Sequence, residues 1–174
     1  MKNLLKTTIA VALTGLLGAR AQAADITVKV AIPRLDTAEY HRPYVAIWLE
    51  DGQKKLIRDV AVWYEQNKAQ DEGKKWLKDL RQWWRLSGRS QEKPADGVSG
   101  ATRAVGVQTV HVSGQSKALA DLPPGDYQLV VEAAREKGGR ELIRLPLAWP
   151  PAQTKTLDAQ GKEELGRIEL TLNP

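Results

Sequence analysis

Apolar residues recur at every second position along most of this chain, in short runs closed by turn residues. "DITVKVAIP" alternates from Ile26 to Ile32, and "YVAIWLED" does so through Val45, Ile47 and Leu49. "KLIRDVAVWYE" follows after a short "DGQK" connection of hairpin type. In "VGVQTVHVSG", Val105, Val107, Thr109 and His111 alternate with Gly106, Gln108, Val110 and Val112. "LADLPPGDYQLVVEAARE" carries a Pro-Pro-Gly-Asp turn that launches a strand at Asp126, "GGRELIRLPLAWP" answers it after Gly138-Gly139, and "GRIELTLNP" closes the chain. Successive strand side chains point to opposite faces, so a period of two marks strands with one buried face. About seven short strands with turns between them predict a mainly β fold, an immunoglobulin-like antiparallel β-sandwich. The Cys–Trp–Cys pattern of antibody domains is absent.

One segment breaks the period. In "KKWLKDLRQWWRLSG", Trp76, Leu77, Leu80, Trp83 and Trp84 fall at i, i+1, i+4, i+7 and i+8, with charged residues filling most other positions. This spacing predicts a short amphipathic helix of about three turns, ended by Ser87-Gly88. It lies in an insertion over residues 67–103, and connections that long inside a compact domain are uncommon and often functional.

The first residues read as a secretory signal. Lys2 and Lys6 precede an uncharged run from Thr7 to Gly18, and Ala21 and Ala23 stand at the spacing a signal peptidase reads. The run is about a dozen residues, short of the roughly 20 that a membrane span needs. No cysteine stands at the cleavage site, which excludes a lipoprotein. Residues 1–23 are therefore expected to be cleaved, leaving 24–174 as a single soluble periplasmic domain with the helical insertion. Cleavage removes Lys2, Lys6 and Arg20 and no acid, so 23 basic residues face 21 acidic ones and the net charge falls from +5 to +2. Lys and Arg are interleaved with Asp and Glu, without the concentrated basic face that nucleic-acid binding requires, so no nucleic-acid partner is expected. With no cysteine at all, disulfides, iron–sulfur clusters, thiolate zinc and thiol nucleophiles are excluded.

Few residues suggest chemistry. His41 and His111 have no second ligand at a recognisable spacing, so no metal site is expected. "GVSGA" around Ser99 is not the G-x-S-x-G nucleophile elbow and does not follow a hydrophobic strand. No phosphate-loop or dinucleotide fingerprint is present. Six Trp and no Phe make an unusual aromatic set. Trp48 and Trp63 lie on alternating strands and read as core, whereas the adjacent pair Trp83 and Trp84 either fills core or flanks a flat ligand.

"DGVSGAT", Asp96 to Thr102, has the composition of a turn. It also resembles the D-x-x-[ST]-G-A-[ST] attachment motif of covalent flavin proteins, with Asp96, Ser99, Gly100, Ala101 and Thr102 at the matching positions. At average residue usage, five fixed positions arise by accident in roughly one chain of this length per thousand. In the flavin-carrying subunits of sodium-pumping quinone reductases and their relatives, the last Ser or Thr of the motif holds FMN through a phosphoester bond. A flavin transferase installs it outside the cytoplasm, with FAD as donor. The resemblance implies Thr102 as acceptor. An acceptor hydroxyl must be approachable; Gly100 and Ala101 leave little bulk beside it, and Gly100 permits a positive φ. Successive backbone N–H groups there and the fork of Arg103 would hold a phosphate, Asp96 would shape the loop, and Trp83 or Trp84 would wall the ring.

A second resemblance spans nearly all of residues 24–174. "YHRPYVAIWLED", "KWLKDLRQWWR", "DGVSGATR", "LPPGDYQLVVEAAREKGGRELIR" and "ELGRIELTL" are similar in kind and order to a bacterial family of predicted periplasmic proteins, domain of unknown function 2271. The resemblance implies flavin-dependent electron transfer outside the cytoplasm, with a membrane redox protein of PepSY type as partner. The chain is thus expected to be an exported flavoprotein carrying covalent FMN on Thr102, a redox carrier rather than a substrate-converting enzyme. The alternative is a flavin-free immunoglobulin-like module that docks on a membrane protein; a weaker one is a metal-uptake accessory using His41.

Overall fold

Strand β1 (Asp25–Ile32) buries Ile26, Val28, Val30 and Ile32 and leaves the residues between them more exposed, as its period of two predicts. The computed structural model describes residues 24–91, 94 and 97–174. Residues 1–23, read above as a secretory signal, and Asp96 lie outside the described residues. β1 sits between β5 (Gly106–Val112) and β9 (Arg167–Asn173), and β8 (Lys155–Gln160) adds the far edge of this first, wholly antiparallel sheet. The second sheet has the order β4-β3-β2-β6-β7, with β2 (Tyr44–Asp51), β3 (Leu56–Tyr64), β4 (Ser99–Ala101), β6 (Gly125–Ala134) and β7 (Arg140–Trp149). The two sheets pack as a sandwich and not as a closed barrel, so the mainly β expectation holds. One pairing corrects the antiparallel expectation: β4 runs parallel to β3, with Val62, Trp63 and Tyr64 opposite Ser99, Gly100 and Ala101.

The turns follow from side-chain chemistry. In the connection from β2 to β3, the Asp51 carboxylate accepts the backbone N–H groups of Gln53 and Lys55, both at 2.9 Å, an Asp turn in which a side chain replaces the backbone acceptor. At the start of β6, the Tyr127 hydroxyl donates to the Pro123 carbonyl at 2.9 Å, fixing the Pro-Pro-Gly-Asp corner. Tyrosines that bond back a few residues upstream are a device of immunoglobulin-like sandwiches.

The main core lies between the sheets. Ile26, Val28, Val30, Ile168, Leu170 and Leu172 from one sheet meet Val45, Ile47, Leu49, Leu129, Val131 and Trp63 from the other. β2 and β6 are, however, buried on both faces over most of their length. The second, outer face carries Ala46, Trp48, Val62, Tyr64 and Val130, and residues Leu77, Leu80 and Trp83 of the insertion cover it. The insertion is thus a third layer. Trp48 and Trp63 are core, as their strand positions predicted.

The amphipathic segment differs from one continuous helix. A 3-10 stretch, Ala69–Asp79, gives way at Leu80 to a six-residue helix α1 (Arg81–Leu86). Leu80 leaves helical geometry with ψ 70, and Gln70 and Asp71 have positive φ. The physical reason lies in the sheet beneath. The buried Glu132 carboxylate of β6 accepts the N–H groups of Gln82 at 3.0 Å and Trp83 at 2.8 Å, so the start of α1 is capped from another strand. The first N–H groups of a helix lack internal partners and favour a negative charge. Asp59 of β3 holds the other side, accepting from the Trp83 indole N–H at 2.8 Å, the Ser87 hydroxyl at 2.8 Å and the Gln91 amide at 3.2 Å. Gly88 closes the layer because a Cβ there would come within 2.5 Å of the Trp83 ring.

Candidate functional site

Five chain segments converge at one end of the second sheet. Tyr44 opens β2 beside Ala134 at the end of β6, and Tyr64 closes β3 beside Ala101 at the end of β4. The chain entering β2, the exit of β3, the 3-10 stretch and the residues after β4 and β6 enclose a cavity of about 270 Å³. Tyr40, Tyr44 and Trp76 form its aromatic wall, Glu65, Asp79 and Glu136 bring carboxylates, and His41, Arg42 and Lys68 bring basic groups. Thr102 lies on the same wall.

The 3-10 stretch is pinned against this end. The Tyr44 hydroxyl donates to the Gly73 carbonyl at 2.9 Å, and a Cβ on Gly73 would lie 1.7 Å from the Glu65 carbonyl oxygen. Glycine is required there because two backbones touch. Burial, helped by the nearby charges of Glu65, Glu136 and Asp79, pushes the Tyr44 phenol up to about 12, while a hydrogen bond with the Glu65 backbone pulls the other way. Tyr44 therefore remains a neutral donor at physiological pH. Tyr40 and Trp76, 37% and 38% exposed, stand at the open side. His41 Nε2 lies 3.1 Å from Glu39 without the alignment of a hydrogen bond, and its Nδ1 lies 3.7 Å from Glu136. The Lys137 ammonium, hydrogen bonded to Glu39, holds that carboxyl below its usual value.

The "SGAT" stretch corrects several expectations. Ser99, Gly100 and Ala101 are an edge strand, not an open turn. The positive φ belongs to Gly97, at 83°, and not to Gly100. The role of Gly100 is space: it lies opposite Trp63, where a Cβ would come within 3.3 Å of the indole and 3.5 Å of the Arg103 guanidinium. Arg103 accordingly stacks over the Trp63 ring at 5.2 Å, a cation–π contact, and does not line the cavity. Thr102 is tied down by its N–H, which donates to the Tyr64 carbonyl at 3.2 Å. It is only 8% exposed, against the expectation of an exposed acceptor, but it borders the cavity at the sheet edge and is not part of the core between the sheets. Its hydroxyl makes no hydrogen bond among the described residues, and Arg42 and Lys68 form no ion pair there.

The tryptophans also divide differently. Trp83 is 1% exposed and its indole N–H is taken by Asp59, so it offers no face to a ligand. Trp84 packs tilted against it, ring centroids 6.4 Å apart, on the outer layer. The aromatic wall near Thr102 is Trp76 with Tyr40 and Tyr44 instead. Trp76 was grouped with the helix by spacing; its place beside Thr102 depends on the break at Leu80, which periodicity does not reveal. Tyr40, His41, Arg42 and Tyr44 stand in "EYHRPY", where the polar–aromatic run just before a buried strand was the available signal. Among the described residues, no group of three or more His, Asp or Glu is placed to hold a metal ion.

A family model described as "Predicted periplasmic protein (DUF2271)" matches residues 25–167. No curated protein and no solved structure matches the chain.

Proposed function

The chain belongs to the DUF2271 family of predicted periplasmic proteins, which agrees with the exported, periplasmic location read from its sequence, and on that premise we propose that it carries FMN in phosphoester linkage on Thr102 and serves as a periplasmic electron carrier. The observation that carries this reading is the setting of Thr102: a hydroxyl without a hydrogen bond among the described residues, on the wall of a cavity that also holds Arg42, Lys68 and three aromatic rings.

The residues present suit such a group. Arg42 and Lys68 have no carboxylate partner among the described residues and would neutralise the single negative charge of a phosphodiester. Tyr40 and Trp76 offer rings at the open side for stacking. Glu65, Asp79 and Glu136 make the cavity mixed in charge, so it would retain a free anionic cofactor poorly; a covalent tether removes that need by keeping the group at high effective concentration. A cavity of about 270 Å³ is at the small end of ligand sites, which run from about 300 to 1,000 Å³. Part of the group would remain at the surface, where a redox partner can reach it.

In the attachment step, Thr102 Oγ1 attacks the FMN-side phosphorus of FAD. The new O–P bond forms as the pyrophosphate bond breaks, AMP leaves, and the hydroxyl proton passes to a base of the flavin transferase. Once bound, the flavin supplies one- and two-electron chemistry, and the protein supplies attachment and orientation. Tyr44 and Gly73 hold the cavity's shape, Arg42 and Lys68 bind the phosphate, and Tyr40 and Trp76 shield one side of the ring. A membrane redox protein of PepSY type is the expected partner.

Co-expression in a periplasm with an active flavin transferase tests the reading. A yellow protein whose absorbance survives denaturation supports attachment. A colourless protein, with the transferase active on a control substrate, favours the flavin-free docking module.

A further inference from the structure

Thr102 is only 8% exposed, yet the acceptor role proposed above requires its hydroxyl to meet a phosphorus held by another protein. That phosphorus stands in the middle of FAD, with the flavin half on one side and the AMP half on the other. The leaving oxygen of AMP has to lie roughly in line with the incoming hydroxyl. Both halves of the dinucleotide and the base of the transferase must therefore surround Thr102 Oγ1. The cavity beside it, about 270 Å³ and walled by Tyr40, Tyr44 and Trp76, is already at the small end for one bound ligand. It does not admit a dinucleotide together with an enzyme.

The segment that carries Thr102 is weakly held. β4 has three residues, against six to ten in the other strands. Its pairing with β3 is parallel, the slightly less stable arrangement per residue. The other strands place apolar residues in or against a buried cluster, and Ser99, Gly100 and Ala101 place none. Backbone ties run from the Val62 N–H to the Val98 carbonyl at 2.9 Å and from the Thr102 N–H to the Tyr64 carbonyl at 3.2 Å. The Arg103 guanidinium over Trp63 adds a side-chain tie. Gly97 and Gly106, with φ of 83° and 122°, stand on either side. A Cβ at either would meet nothing within 4 Å, so these glycines serve backbone conformation rather than space, as hinges do. Segments with few buried apolar contacts open locally at a small fraction of the global unfolding energy.

We propose, resting on the reading of Thr102 as acceptor, that residues 97–103 form a latch. The segment separates from β3, presents Thr102 to the flavin transferase, and re-pairs after attachment, which returns the modified residue to the cavity wall.

The test separates the opening from the acceptor role. In flavin-free chain 24–174, Thr102→Cys supplies the only thiol, and its reaction with a thiol reagent reads the opening alone. It should react at least about tenfold more slowly than in the denatured chain. It should also react at least about tenfold faster than Ala133→Cys, which lies buried between the sheets and is reached by global unfolding. Gly97→Ala is strained at positive φ while the segment is paired, and Arg103→Ala loses the Trp63 contact. Combined with Thr102→Cys, each should speed the thiol reaction about two- to fivefold. Neither residue is one of the five matched motif positions. With Thr102 intact, each variant should therefore raise the initial rate of flavin attachment by the same factor, measured where that rate is proportional to transferase concentration. Thr102→Cys that reacts as fast as in the denatured chain, or no faster than Ala133→Cys, overturns the latch. So do variants that speed the thiol reaction but leave attachment unchanged or slower. A chain that opens yet takes no flavin, beside a control substrate that does, overturns the acceptor role of Thr102 and with it the purpose assigned to the opening.

Discussion

The N–H of Trp83 and the carboxylate of Glu132 meet at 2.8 Å across the gap between the insertion and the second sheet. Glu132 is fully buried and also accepts from Gln82 and, at 2.7 Å, from Arg140. One strand carboxylate therefore decides where α1 begins and attaches the outer layer to the sandwich.

Replacing Glu132 by Ala removes the acceptor for two buried or half-buried N–H groups. The expected loss is about 2–3 kcal/mol, the cost of leaving such donors unsatisfied. Glu132→Gln retains one acceptor oxygen and should lose less. Chemical denaturation gives the energies, and a red shift of the Trp emission would report release of the layer.

Two tryptophans of the same segment should behave oppositely. Trp83 is 1% exposed and Trp76 is 38% exposed. Trp83→Ala should cost about 3–5 kcal/mol, as for large core truncations. Trp76→Ala should change stability by no more than about 0.5 kcal/mol yet alter the environment of the cavity. Thermal melts of the two variants separate core from cavity wall.

Tyr44 predicts a loss of stability at alkaline pH. Its phenol is raised to about 12, first through burial, from about 10 in an unfolded chain. The neutral form is the one favoured by folding, so its contribution is complete below about pH 10 and lost as pH rises through about 12. A tyrosinate absorbance titrating near pH 12 should be missing in Tyr44→Phe, and the alkaline stability loss should shrink with it.

Glu141 governs the acid side. Burial works against its charged form, but the N–H groups of Lys162, Glu163 and Leu165 at 2.6, 3.0 and 2.9 Å outweigh it and hold the carboxyl below its usual value. Stability from this group is present above the unfolded carboxyl range and falls as pH drops through the lower folded value. Glu141→Gln should therefore flatten the acid limb of a stability–pH profile.

The sandwich was legible because β1 and β9 each bury one face, so Ile26 to Ile32 and Ile168 to Leu172 alternate. The outer layer was less so. β2 and β6 are buried on both faces, and the cause, the insertion lying over them, is a long-range contact that local period cannot express. The helix break at Leu80 and the burial of Trp83 follow from Glu132 and Asp59, about 50 and 24 residues away in sequence. In "DGVSGAT" composition points to a turn, and among the described residues only Gly97 and Val98 form one. Pairing with β3 drew Ser99 to Ala101 into a strand, which carries Thr102 to the cavity wall.

Peptide mapping by mass spectrometry of chain co-produced with a flavin transferase addresses the central claim most directly. The account predicts that the peptide containing Thr102 carries the mass of FMN less one water, that Thr102→Ala abolishes the adduct, and that Thr102→Ser restores it at least in part. Unmodified Thr102 beside a fully modified control substrate, or an adduct that persists in Thr102→Ala, would contradict it.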